Sequence, residues 1–80
     1  MELRHIRYFL AVAEELNFTK AAARLCIAQP PLSRQMKELE EELGFSIFHR
    51  SNKGISLSMA GSEFLGYARQ VIEQTELLST

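Results

Sequence analysis

Phe18-Thr19-Lys20-Ala21-Ala22-Ala23-Arg24-Leu25-Cys26-Ile27-Ala28-Gln29-Pro30-Pro31-Leu32-Ser33-Arg34-Gln35-Met36-Lys37 is the stretch whose reading decides the fold. Thr19 is suited to cap a short helix over Lys20 to Cys26, because its hydroxyl can accept from an amide that has no partner in the first turn. Ala21, Ala22 and Ala23 leave room for another helix to approach closely. Ile27 to Gln29 breaks the pattern. Pro30 and Pro31 then open a further helix, since the amide that proline lacks is unpaired at a helix start anyway. That helix is predicted to run to about Leu43 and to stop at Gly44. Leu32, Met36, Leu39 and Leu43 recur at helical spacing and predict its buried stripe.

On the N-terminal side, Leu3 to Leu16 reads as a first helix with Leu3, Ile6, Phe9, Leu10, Ala13 and Leu16 on one side. On the C-terminal side the helical period stops. Phe45 to Arg50 and Ile55 to Ser58 read as short strands around the turn residues Ser51-Asn52-Lys53-Gly54, a small hairpin. Ser58 is placed to cap a last helix from Met59 to the chain end. In it Phe64, Ala68, Val71, Thr75 and Leu78 alternate steps of four and three, a coiled-coil-like seam. Leu65 and Ile72 lie to one side of that seam. So apolar a helix needs a partner, and a second copy of the same helix is the natural one.

Two short helices joined by a tight turn after a scaffold helix make a helix-turn-helix. Opposite the leucine stripe of its second helix, Pro30, Ser33, Arg34 and Lys37 share a polar, basic face. The chemistry of that face suits base reading. Gln29 can bond adenine, Arg34 can fork onto guanine, and the rings of Pro30 and Pro31 can touch a thymine methyl. Ser33 suits a base or a phosphate. Thr19 and Lys20, at the start of the preceding helix, suit a phosphate, and Lys53 at the hairpin tip suits a minor groove. Arg50 fits an acidic partner or a phosphate equally well.

Composition sets the limits. Eighty residues at 46% hydrophobic make one small domain, too apolar for a disordered tail. No apolar run is long enough for a membrane, and the N-terminus lacks signal-peptide architecture, so a cytoplasmic protein is expected. A net charge of −1 runs against nucleic-acid binding, yet Thr19 to Lys37 holds Lys20, Arg24, Arg34 and Lys37 and no acid. The acids Glu38, Glu40, Glu41 and Glu42 follow and read as a solvated helix end.

Cys26 reads as a small buried hydrophobe, and His5 and His49 as surface or groove-edge residues. None has partners for a metal site, and no cofactor is expected. No nucleophile, base and orienter converge, which disfavours an enzyme. The competing reading is a protein-interaction module whose stripes serve a heteromeric partner.

The chain resembles the N-terminal domain of LysR-type transcriptional regulators along essentially its whole length. The resemblance rests on Leu3-Arg4-His5-Ile6-Arg7-Tyr8-Phe9, Phe18-Thr19-Lys20-Ala21-Ala22 and Gln29-Pro30-Pro31-Leu32-Ser33-Arg34-Gln35. It continues through Leu39-Glu40-Glu41-Glu42-Leu43-Gly44, Phe48-His49-Arg50 and Leu57-Ser58-Met59-Ala60-Gly61. What it implies is a mainly α winged helix-turn-helix: a three-helix core and a two-stranded wing over residues 1–58, then a dimerising linker helix over 59–80. It also implies an interrupted palindrome as the DNA target. A separate effector-binding domain, outside these residues, would take a small molecule, and higher oligomers would form in the full-length protein.

Gln29, Pro30, Pro31, Ser33 and Arg34 match positions that the family uses on DNA. The Gln29 to Gln35 segment is similar to that of members controlling aromatic-compound catabolism. Two departures stand out: Ala28 where serine is common, and Lys53 where related members often have arginine.

Overall fold

In the computed structural model, which describes residues 1–78, Leu3–Glu15 forms α1. Ile6, Phe9, Val12 and Ala13 on its inner side are buried, while Leu3 and Leu16 at the two ends of the expected stripe stay exposed. His5 is buried as well, contrary to the surface position expected of it. Its Nδ1 accepts the Glu2 amide at 3.0 Å, occupying a donor that a helix start leaves open. α1 ends at Leu16, whose amide still donates to the Val12 carbonyl while its left-handed backbone (φ 50°) turns the chain out of the helix.

The next helix, α2, spans Phe18–Leu25 and not Lys20 to Cys26. Asn17 caps it, with Oδ1 accepting the Lys20 amide at 2.9 Å, so Thr19 lies inside the first turn and is not the cap. Asparagine is at least as good an N-cap as threonine, and its earlier position wins. Cys26 closes α2 in a left-handed conformation (φ 59°) and is exposed, which corrects the buried placement expected of it.

α3 spans Gln29–Leu43, with Pro30 and Pro31 in its first turn and Ala28 supplying no side-chain cap. Leu32, Met36 and Leu39 form its buried stripe, and Gly44 at φ 82° ends it, its amide donating a hydrogen bond to the Glu40 carbonyl. β1 (Phe48–Ser51) and β2 (Gly54–Leu57) pair antiparallel, Phe48 opposite Leu57 and Ser51 opposite Gly54. β1 begins three residues later than expected because Glu40 Oε2 claims the amides of Ile47 (2.8 Å) and Phe48 (3.3 Å). Glu40 is therefore a structural anchor, unlike the solvated acids around it.

α4 spans Met59–Leu78, and the expected extension to Ser79 and Thr80 lies outside the described residues. Ser58 caps it as expected: its Oγ accepts the Gly61 amide at 2.9 Å and donates to the Ser46 carbonyl at 2.6 Å. Gly61 is what lets α4 start there, since a Cβ at this position would lie 2.0 Å from the Ile47 carbonyl oxygen.

α1 is the hub. It packs against α2, α3 and α4, with Phe9, Val12, Leu32, Met36, Ile47 and Leu39 fully enclosed. The Phe64, Phe9, Phe48 and Phe18 rings run through this core with successive centroids 4.9, 5.6 and 5.7 Å apart. The whole is a mainly helical winged helix-turn-helix followed by a long helix.

Candidate nucleic-acid interface

The geometry of α3 divides its residues cleanly. With Leu32, Met36 and Leu39 turned to the core, Pro30, Arg34 and Lys37 are exposed and Gln29, Pro31 and Ser33 half-buried at the N-terminal end. The Gln29 amide donates to Ser33 Oγ at 2.6 Å, so one turn of helix pre-sets the side chain best suited to adenine. Farther along, Lys37 borders a shallow depression together with Glu40 and Glu41, and there the basic face ends.

Charge distribution explains how a net charge of −1 coexists with such a face. Arg24, expected to add to it, is instead held by Glu14 (2.7 Å) and Glu15 (3.3 Å) of α1. The hydrogen bond to Glu14 raises the guanidinium pKa above its ordinary value. Arg69 meets Glu14 too, Arg4 meets Glu2, and the N-terminal ammonium meets Glu42. By contrast Lys20, Arg34, Lys37, Arg50 and Lys53 make no ion pair among the described residues. These pairs occupy part of the acidic charge and leave the cations of α3, β1 and the wing uncompensated by an ion pair.

Thr19 and Lys20 are exposed on the first turn of α2. Arg50, on β1, is brought to that same place: its guanidinium carbon lies 4.8 Å from the centre of the Phe18 ring. Lys53 stands apart at the exposed hairpin tip, where its amide bonds Ser51 Oγ within the turn.

The seam expected on α4 splits. Ala68 is 1% exposed and Phe64 stacks edge-on against Phe9, so both are committed to the monomer core together with Ile72. Ala68 has no surface left for a partner. Val71 and Leu78 are exposed, as is Tyr67, which the spacing left out, while Thr75 donates its hydroxyl to the Val71 carbonyl. Tyr67, Val71, Gln74, Thr75 and Leu78 line one open depression. The outward face is thus rotated from the expected seam, because α1 takes the Phe64/Ala68/Ile72 side.

Three residues that matter to this surface went unread in the sequence. Phe18 was visible only as the residue before Thr19. Glu40 was one of a run of glutamates, and nothing in the pattern distinguished it. Tyr67 lies one residue before Ala68, and only the side of α4 that meets α1 reveals it as outward-facing.

A second helix presenting a cationic, polar face beside a two-stranded wing defines a winged helix-turn-helix protein. The model of the family described as "Bacterial regulatory helix-turn-helix protein, lysR family" matches residues 3–62, and the chain belongs to that family. It is 51% identical over 76 residues to the HTH-type transcriptional regulator BenM of Acinetobacter baylyi, covering 95% of this chain and 25% of that one. It is 53% identical over 74 residues to the regulator AlsR of Bacillus subtilis, covering 92% and 24%.

Among solved structures, the BenM DNA-binding domain in complex with catB site 1 DNA superposes with a TM-score of 0.95 at 49% identity. That match covers 99% of this chain and 89% of that one. The CbnR DNA-binding domain in complex with DNA gives 0.94 at 46%, covering 99% and 91%. The chain spans about a quarter of the length of the curated relatives it matches.

Proposed function

We propose that this chain binds double-stranded DNA in a sequence-specific way, with α3 in the major groove and the hairpin wing at the adjacent minor groove. The observation that carries the reading is the cationic face of α3, without an ion pair among the described residues and with Gln29 held by Ser33, opposite the buried Leu32/Met36/Leu39 stripe. Gln29, Pro30, Pro31 and Arg34 read base edges. Ser33, Lys37, Thr19, Lys20 and Arg50 hold the backbone, and Lys53 extends the contact from the wing.

Residues 1–58 act as the reading unit and 59–80 as the linker. Two copies join through the outward face of α4, at Tyr67, Val71 and Leu78, and bind an interrupted palindrome. The chain works by docking, without catalysis, in the cytoplasm. A small-molecule effector acts through a domain beyond these residues, and the Gln29 to Gln35 segment favours control of aromatic-compound catabolism.

Titrating salt against binding to random duplex DNA tests the core of this reading. Each phosphate neutralised should contribute about −0.9 to the slope of log K against log salt. Absent or salt-indifferent binding favours the protein-interaction module instead. Selection from random DNA then gives the site, and Arg34→Ala should cost about 1–3 kcal/mol against the preferred base at one pair per half-site. Uniform weakening across all sequences would place Arg34 on phosphate alone.

A further inference from the structure

We infer that Phe18 is a positioning residue for DNA binding: its ring holds the Arg50 guanidinium as a pre-set phosphate clamp at the start of α2. The inference rests on the DNA-binding reading and adds a residue to it. The Arg50 guanidinium carbon lies 4.8 Å from the Phe18 ring centre, within the range of a cation–π contact.

The kind of partner matters here. An arginine held by a carboxylate spends its N–H donors on that carboxylate and has its charge cancelled, as Arg24 does against Glu14 and Glu15. An arginine held by an aromatic face keeps all five donors at the rim of the guanidinium plane, and keeps its charge. Arg50 is exposed and makes no ion pair among the described residues, so that rim is open.

The platform is itself fixed. Phe18 is 9% exposed and meets Phe48 edge-on at 5.7 Å, and Phe48 is 5.6 Å from the fully buried Phe9. Phe18 is also the first residue of α2, which sets the clamp beside exposed Thr19 and Lys20. A flexible arginine pre-ordered in this way loses less rotamer freedom when a phosphate arrives. The same contact ties the β1 strand of the wing to α2, so the two elements that flank the reading helix present their cations as one unit.

The test compares the wild-type 80-residue chain with Arg50→Gln, Phe18→Leu, Phe18→Tyr and the Arg50→Gln/Phe18→Leu double variant, each checked for folding by thermal melt. Binding to a random duplex is followed against salt. Arg50→Gln should lower the magnitude of the log–log slope by about 0.9, the loss of one phosphate. Phe18→Leu should weaken binding roughly two- to fivefold at fixed salt, the ordering cost that an unheld arginine then meets on binding. Phe18→Tyr should restore it, and the double variant should bind no worse than Arg50→Gln alone.

In the free protein the Arg50 side-chain protons should show a ring-current shift that disappears in Phe18→Leu. An unchanged slope in Arg50→Gln, additive losses in the double variant, or no ring-current shift overturns the positioning role while wild-type binding stands. A wild-type chain that does not bind DNA removes the underlying reading and the clamp together.

Discussion

α3 and α4 are both long amphipathic helices, yet they meet the rest of the molecule differently. α3 buries one stripe, Leu32/Met36/Leu39, and leaves its opposite side to solvent with polar and basic groups. α4 is apolar on two sides: Phe64, Ala68 and Ile72 pack inward, while Tyr67, Val71 and Leu78 face out. The difference teaches where each helix finds its partner. The partners of α3 within the protein are all in this chain, so its outward side is free to be chosen for another chemistry. An outward apolar side, in contrast, is left uncovered by its own chain, and the second copy proposed above would cover it.

The sharpest way to break the comparison is to remove the one-sided anchor of α3. Leu32 is fully enclosed, and Leu32→Ala should cost about 2–5 kcal/mol in a urea melt, from lost burial and the cavity left behind. Gly61→Ala strikes the corresponding anchor of α4. Alanine gains up to about 1 kcal/mol in helix propensity over glycine. Its Cβ, however, would sit 2.0 Å from the Ile47 carbonyl oxygen, and a backbone neighbour has no rotamer by which to yield. The clash should prevail, with a net loss on the order of 1–3 kcal/mol by the same melt.

Val71→Ser probes the outward side of α4. Because Val71 is 41% exposed, monomer stability should change by less than about 0.5 kcal/mol. Sedimentation should nevertheless show weakened self-association, and an unchanged association constant would count against the α4 interface.

The smallest effect belongs to the back end of α3. The N-terminal ammonium bonds Glu42 at 2.6 Å and holds its carboxyl below the ordinary range, so the charged form is favoured on folding. Its contribution is therefore present above the ordinary carboxylate pKa and disappears as the pH falls through the lowered one. Melting temperatures of wild type and Glu42→Gln should accordingly converge on acidification. A constant difference would assign the effect to something other than this pair.

The parts legible in the sequence are those where residue type and period agree. The Leu32/Met36/Leu39 stripe, the proline pair at the start of α3, Gly44 at its end and Ser58 at the start of α4 all read directly, because each satisfies a local rule. The C-terminal ends of α1 and α2 did not, since Leu16 and Cys26 adopt a left-handed backbone that nothing in those residue types announces. Glu40 escaped because its role depends on where Ile47 and Phe48 arrive in space. Of the expected α4 seam, Val71 and Leu78 lie outward, while Phe64 and Ala68 pack into the monomer core. Period alone says that a helix has an apolar side, and only the position of α1 says which side is already taken.

The contact at Gly61 has a geometric consequence for an assembly of two copies. With no side chain between the first turn of α4 and the Ile47 carbonyl, the start of the helix lies directly on the backbone ahead of β1. In the dimer proposed above, the direction in which α4 sets out from that contact would act as a ruler between the two copies. The spacing between the proposed half-sites would then depend on a glycine in the body of the protein.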